Sequence, residues 1–266
     1  MLHAVDDVSF EIGRGMTLGV VGESGCGKST LGRVMIKLLE PTDGQIFLEG
    51  VDITHTKSSQ EHFKKMQMIF QDPFSSIDPR KTVYQIIAEP LVIHRVHKDK
   101  LDRQRHVARL METVGLASRF ANAYPHELDG GRRQRVGIAR ALALDPDFIV
   151  CDEPVSALDV SIQAQILNLM QDLQDEHGFT YMFITHDMSV VKHISDDIMV
   201  MYLGHMVEKC DGDALFENTL HPYTKALLSA IPEPSLHKTR KRTILKGEIT
   251  SPINPKPGCR FAARCV

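Results

Sequence analysis

The sequence predicts an α/β fold: a mostly parallel sheet with a glycine-rich loop at one strand end and a block of helices inserted between its strands. Three observations predict it. An apolar, β-rich run at 17–21 leads directly into Gly22-Glu23-Ser24-Gly25-Cys26-Gly27-Lys28-Ser29 and then into a helical pattern. Apolar runs return at 148–151 and 181–184 with a helical stretch over 162–176 between them, the alternation of a parallel sheet. Between 82 and 144, Val83, Ile86 and Ile87, then Val107, Leu110, Met111 and Val114, recur at three- and four-residue spacing, which marks helices.

Taken in order, residues 5–12 alternate in the manner of a half-buried strand until Gly13 and Gly15 break the pattern, so the chain is expected to begin as a β-meander. A helix over 29–39 is expected to stop before Pro41, because the residue preceding proline is driven out of the α region. Another strand is expected over 44–48. Past residue 207 come a short helical stretch around 224–231 and a tail rich in Pro, Lys and Arg, whose basic run at 238–242 reads as a solvated linker. The expected organisation is a core from 1–80 and 145–210, a helical subdomain from 81–144, and an appended C-terminal extension from 211–266.

Composition narrows the function classes. With 266 residues, 42% of them hydrophobic and 24% charged, the chain can bury a sizeable core. A formal net charge of −3 gives no basic field for duplex nucleic acid, so no nucleic-acid partner is expected. Five cysteines, an odd number and mostly far apart, argue against a secreted disulfide framework and for a reducing compartment. No apolar run approaches the about 20 residues of a membrane helix, and Asp6, Asp7 and Glu11 stand where a signal peptide needs cations. Membrane association is expected to go through a partner.

The loop Gly22–Ser29 fits G-x-x-x-x-G-K-[ST] between a strand and a helix. Its glycines let backbone N–H groups turn inward around phosphate oxygens, and the helix N-terminus adds its positive dipole end. Lys28 is suited to the β- and γ-phosphates, the Ser29 hydroxyl to Mg²⁺, and Thr30 continues the site into the helix. The plain alternative is a glycine-rich connecting loop, with Cys26 a small filler. The run 148–154 ends in two adjacent carboxylates at a strand's carboxyl edge: Asp152 suited to Mg²⁺ through water, Glu153 to polarising an attacking water as general base. The alternative there is a strand-end turn. His186, in Ile184-Thr-His-Asp187, is suited to contact a γ-phosphate, although a lone histidine is more often structural.

Together these residues resemble the ABC transporter ATPase family over nearly the whole chain. Leu128-Asp129-Gly130-Gly131-Arg132-Arg133-Gln134-Arg135 is similar to its signature loop, followed by a helix over 136–144, and Gln71 in Ile-Phe-Gln-Asp-Pro is similar to its lid glutamine. The resemblance implies a P-loop NTPase core with an antiparallel β subdomain and an inserted helical subdomain. It implies ATP and Mg²⁺ as ligands, the metal held by Ser29, Gln71 and Asp152, and hydrolysis of ATP to ADP and phosphate served by Glu153, His186 and Gln71. It further implies a head-to-tail dimer in which Gly22–Thr30 of one protomer faces Asp129, Gly130 and Gly131 of the other.

The chain departs from that family's pattern at the signature loop, where Leu-Ser-Gly-Gly-Gln is usual and Asp129 and Arg132 stand for the serine and the glutamine. A carboxylate beside a γ-phosphate is unfavourable unless a cation offsets it. Either Asp129 caps the following helix with Arg132 and Arg133 compensating locally, or the composite site is weakened within a dimer of unequal ATPases. The family's adenine-stacking aromatic would fall upstream of residue 1, so either the first strand is missing from this chain or adenine is held less well, with His3 a poor substitute and low ATP affinity the expectation in that case.

His221-Pro-Tyr-Thr-Lys-Ala-Leu-Leu, Gly258-Cys259-Arg-Phe-Ala-Ala-Arg-Cys265 and the stretch 70–79 resemble the oligopeptide, dipeptide and nickel uptake ATPases. This implies an importer subunit on the cytoplasmic side of the cell membrane. Its implied partners are two permease subunits, a second ATPase and an extracytoplasmic peptide-binding protein. Nickel or another solute is the alternative cargo. ABC ATPases acting on ribosomes or DNA are opposed by the single cassette and ordinary insert, and iron–sulfur assembly ATPases by the tail. Some relatives hold a [4Fe–4S] cluster with four tail cysteines. Cys259 and Cys265 supply two, a partial site at most, and free thiols are expected.

Overall fold

In chain order the described elements are β1 (Thr17–Val21), α1 (Lys28–Met35), β2 (Phe47–Leu48), β3 (Val51–Asp52), α2 (Gln60–Lys65), β4 (Met66–Ile69), α3 (Val83–Ile93), α4 (Lys100–Thr113), α5 (Gly130–Leu142), β5 (Phe148–Asp152), α6 (Val160–His177), β6 (Thr180–Thr185), α7 (Met188–Ile194), β7 (Asp197–Tyr202), β8 (His205–Asp211), α8 (Gly212–Glu217) and α9 (Pro222–Ser229). They come from a computed structural model that describes residues 2–55, 60–72, 76–231, 243, 245, 247, 251–255 and 257–265. The chain divides into two units, Met1–Arg33 with Met182–Val266, and Val34–Tyr181.

In the first unit the strands run in the order β6-β1-β7-β8. β1 lies parallel to β7 with Leu18 opposite Asp197, and β8 returns antiparallel to β7. β1 is buried at all five positions, as expected of a strand covered on both faces. Asp196 pins its start: the Thr17 N–H donates to the Asp196 carboxylate at 2.7 Å and the Asp196 N–H to the Thr17 carbonyl at 3.0 Å. The core gathers Val21, Val191, Val200, Tyr202, Tyr223 and Phe261. Three of these are rings from β7, α9 and the tail, with centroids 4.8 Å (Tyr202–Tyr223), 5.2 Å (Tyr202–Phe261) and 5.4 Å (Tyr223–Phe261) apart, within the range of favourable aromatic pairs. The extension expected as an appendage therefore supplies core: Tyr223 is 0% and Phe261 1% exposed.

In the second unit β4 and β5 pair in parallel, Met66 opposite Phe148. The inserted helices are capped by their own sequence: Thr82 and Gln85 form a capping box on α3, Asp99 caps α4, and Asp129 caps α5. Ile86, Ile87, Leu91, Met111 and Ile138 form the buried face of this insert. No helix among the described residues is long and apolar enough to cross a membrane.

Several expected elements differ. Residues 5–12 form no strand among the described residues; their exposure does alternate, but the Asp6 N–H goes to the Gly204 carbonyl at 2.9 Å rather than into a ladder, and Asp7 takes a left-handed φ of 52°. Among the described residues the early antiparallel part is the hairpin β2–β3, and the strand expected over 44–48 is two residues long. α1 ends at Met35, because Lys37 turns left-handed (φ 62°) well before Pro41. α5 starts at Gly130, not 136, since Asp129 caps it there, and α9 starts at Pro222, set by the His221 cap. The basic run 238–242 and residues 73–75 of the stretch 70–79 lie outside the described residues.

Candidate functional site

The loop between β1 and α1 runs close to neighbouring backbone. Gly22 (φ 154°) and Gly27 (φ 106°) both adopt angles that L side chains rarely take, and a Cβ would lie 2.2 Å from the Met201 carbonyl oxygen at Gly22 and 2.1 Å from that of Ala4 at Gly27. The Cys26 N–H donates to the Glu23 carbonyl at 3.2 Å, while the Cys26 carbonyl accepts from Gly204 at 2.8 Å. Burial pushes the Cys26 thiol above its ordinary pKa. Ser24 and Gly25 are exposed, and Ser29 and Thr30 are half-buried at the head of α1.

Lys28 is only 5% exposed, yet its ammonium donates to neutral acceptors, the carbonyls of Gly22 at 2.8 Å and Glu23 at 3.0 Å. None of the described ion pairs includes it. A buried cation without a counter-charge is costly, and here it stands at the positive end of a helix. A lysine placed at a helix N-terminus in this way suits an anion.

Glu23, expected among the nucleotide contacts, has its side chain held by the C-terminal extension. Arg264 forks onto both carboxylate oxygens at 2.8 and 3.1 Å, and the Glu23 N–H donates to the Tyr223 hydroxyl at 2.9 Å. Arg264 is 7% exposed and also donates to the Tyr202 hydroxyl at 3.4 Å. Its bond to Glu23 raises its pKa further. Nothing in the spacing of the sequence singles out Arg264 or Tyr223 for this place. His186 lies in the same unit as the loop, exposed at the end of β6, where Asp187 caps α7 by accepting from Ser189 at 2.7 Å. Cys259 and Cys265, in that unit too, are exposed free thiols flanking Phe261 and Arg264.

In the other unit, Asp152 closes β5 and is 3% exposed. Glu153 follows with a left-handed φ of 47°, a conformation that for a non-glycine costs on the order of 1–3 kcal/mol and recurs at functional sites. The Gln71 amide donates to the Glu153 carboxylate at 2.8 Å, so the two residues expected to manage the attacking water are in contact.

Asp129 caps α5 by accepting from the Arg132 N–H at 2.8 Å, and its other oxygen pairs with the Arg132 guanidinium at 3.1 Å. Of the two arginines expected to offset it, Arg133 instead donates its Nε–H to the carbonyls of Pro125 and Leu128, each at 2.9 Å, holding the loop that precedes the helix. Gly130 is exposed and Gly131 buried in the first turn of α5. Among the described residues no three His, Cys, Asp or Glu side chains cluster as a metal site.

A glycine loop joining a buried strand to a helix around a buried lysine, with paired acids ending another strand, is the construction of a P-loop nucleotide-binding protein. Residues 5–156 match the ABC transporter family and residues 207–266 the oligopeptide/dipeptide transporter C-terminal region. The chain is 55% identical over 99% of its length to the putative oligopeptide transport ATP-binding protein YkfD of Bacillus subtilis, covering 82% of that protein. It is 60% identical over 91% of its length to the oligopeptide transport ATP-binding protein OppF of the same organism, covering 80% of it. Among solved structures, a dimeric ATP-binding cassette in a post-hydrolysis state bound to ADP and Pi superposes with a TM-score of 0.69 at 29% identity, over 78% of this chain and 90% of that one. The chain belongs to the ABC transporter family and is an ABC-type ATPase.

Proposed function

We propose that this ATPase drives the uptake of short peptides, oligopeptides or dipeptides, through partner permeases. The observation that carries the nucleotide chemistry is Lys28: a buried ammonium at a helix N-terminus, held by carbonyls and in no ion pair among the described residues. In this reading the backbone N–H groups of Gly22–Thr30 hold the triphosphate and Lys28 neutralises its β- and γ-phosphates. Ser29, Asp152 and Gln71 are hydroxyl, carboxylate and amide oxygen donors that suit Mg²⁺, which when bound neutralises developing charge on the phosphates. Glu153, oriented by Gln71, takes the proton of the attacking water, and His186 donates to the γ-phosphate. Asp129, Gly130 and Gly131 serve the nucleotide held by a second, head-to-tail ATPase subunit.

Peptide cargo rests on the C-terminal extension and on what the relatives are named for. The same likeness supports a peripheral position at the cytoplasmic face of the membrane, with two permeases and an extracytoplasmic peptide-binding protein. A groove of about 500 Å³ lined by Ile36, Phe63, Met66, Met68, Phe70 and Pro90 lies near Gln71 in sequence and suits an apolar permease segment. Nickel or another solute is the second cargo reading.

The test is to tag the chain in its native cell, solubilise the membranes gently and identify what co-purifies. Two permeases, a second ATPase and a peptide-binding lipoprotein are expected. Ribosomal, DNA-repair or cluster-assembly proteins without a permease would overturn the transport reading and leave the ATPase standing.

A further inference from the structure

Every polar handle of Glu23 is occupied. Its N–H donates to Tyr223 at 2.9 Å, its carboxylate takes the Arg264 fork at 2.8 and 3.1 Å, and its carbonyl accepts from Lys28 at 3.0 Å and from the Cys26 N–H at 3.2 Å. The residue whose carbonyl holds the phosphate-binding lysine is thus itself held by two side chains from the C-terminal extension, 200 and 241 residues away. Those two are firmly seated. Tyr223 is locked between Tyr202 and Phe261, and Arg264 ends a 3-10 turn, Ala262–Arg264, that Phe261 roots in the core. Four residues back, Arg260 donates to the Leu203 carbonyl and to the Asp6 carboxylate.

The charge matters as much as the tether. A carboxylate within a loop that binds phosphates repels its ligand, the more so where burial lowers the local dielectric. Arg264 is almost fully buried and bidentate on Glu23, the geometry in which a pair is worth more than at a surface.

We propose that Arg264 and Tyr223 are positioning residues for the phosphate loop: the C-terminal extension neutralises and orients Glu23, and so sets how tightly the loop holds ATP. The proposal rests on reading Gly22–Ser29 as the phosphate site. It makes the extension part of the ATPase machinery and assigns Glu23 no side-chain contact with nucleotide.

The test is titration of the purified full chain with a mant-ATP fluorescent probe, beside steady-state ATPase kinetics. Arg264→Gln is expected to weaken mant-ATP binding about tenfold and to raise KM for ATP far more than it lowers kcat, because it leaves a partly buried carboxylate beside the phosphates. Glu23→Gln removes that charge and is expected to bind as tightly as wild type or more so. The double variant Glu23→Gln, Arg264→Gln is expected to return to within about threefold of wild type, a non-additivity that loss of packing alone does not produce. Equal weakening in Arg264→Gln and the double variant, or no weakening in Arg264→Gln, overturns the proposal. If Arg264→Gln unfolds, Glu23→Gln decides alone: weakening comparable to that of Lys28→Ala makes Glu23 a nucleotide contact and overturns it. Should Lys28→Ala itself bind mant-ATP like wild type, the phosphate-loop reading fails first.

Discussion

Gln71 and Glu153 are joined by a hydrogen bond of 2.8 Å, and Glu153 carries it from a left-handed backbone, with φ 47°. The two are 82 residues apart in sequence, one after β4 and one after β5, and the parallel pairing of those strands brings them together.

Replacing Glu153 by Gln keeps the shape and the contact to Gln71 but removes the base. Turnover is expected to fall by roughly a hundredfold or more, the usual share of a general base, while mant-ATP binding stays near wild type. Phosphate release under saturating ATP reads the first quantity and fluorescence titration the second. Full turnover in Glu153→Gln would take the base role away from Glu153.

At Asp129 the observed geometry favours local compensation over a weakened composite site, since Arg132 both receives the cap and pairs with the carboxylate. Serine caps as well as aspartate, so Asp129→Ser is expected to leave stability unchanged and turnover within about twofold of wild type. Asp129→Ala, which cannot cap, is expected to cost about 1 kcal/mol in urea unfolding. A large rise in turnover for Asp129→Ser would instead mean that the carboxylate does oppose the γ-phosphate.

What could be read in the sequence was whatever its neighbours in sequence determine. The strand, glycine loop and helix at 17–35, the buried strand ending at Asp152 and the amphipathic inserts all declare themselves through local period and turn chemistry. The failures share a cause. Residues 5–12 alternate correctly but have no ladder partner among the described residues, which no local pattern reveals. Lys37 ended α1 by turning left-handed, where lysine gives no warning. Glu23 reads in the sequence as a nucleotide contact and Tyr223 and Arg264 as tail residues, and their relationship exists only once the extension folds onto the loop.

The thiols divide by burial. Cys151 is fully buried and Cys26 nearly so, and burial raises both thiol pKa values, while Cys259 and Cys265 are exposed. Brief maleimide treatment of the native chain is expected to modify Cys259 and Cys265, with Cys26 and Cys151 reacting roughly a hundredfold more slowly until the chain is denatured. Mass mapping of the adducts gives the answer. Native protein in which Cys259 and Cys265 resist the reagent until a chelator or oxidant is added would show them ligating a cluster.

Acid should loosen the start of α9. His221 caps that helix by accepting the Tyr223 N–H on Nδ1 at 3.2 Å, which requires the neutral ring, and burial lowers its pKa against a smaller opposing pull from Glu208. A histidine whose folded pKa lies below its unfolded value of 6.5 binds fewer protons when folded, so stability rises with pH across that window. The contribution is complete above 6.5 and is lost as pH falls through 6.5 towards the folded value. Because the ring is partly exposed, solvent screening holds the effect to a few tenths of a kcal/mol. Urea unfolding at pH 7.5 and 5.5 is expected to show wild type losing more stability than His221→Asn, since asparagine caps without titrating. Equal losses in the two proteins would mean that protonation does not compete with the cap.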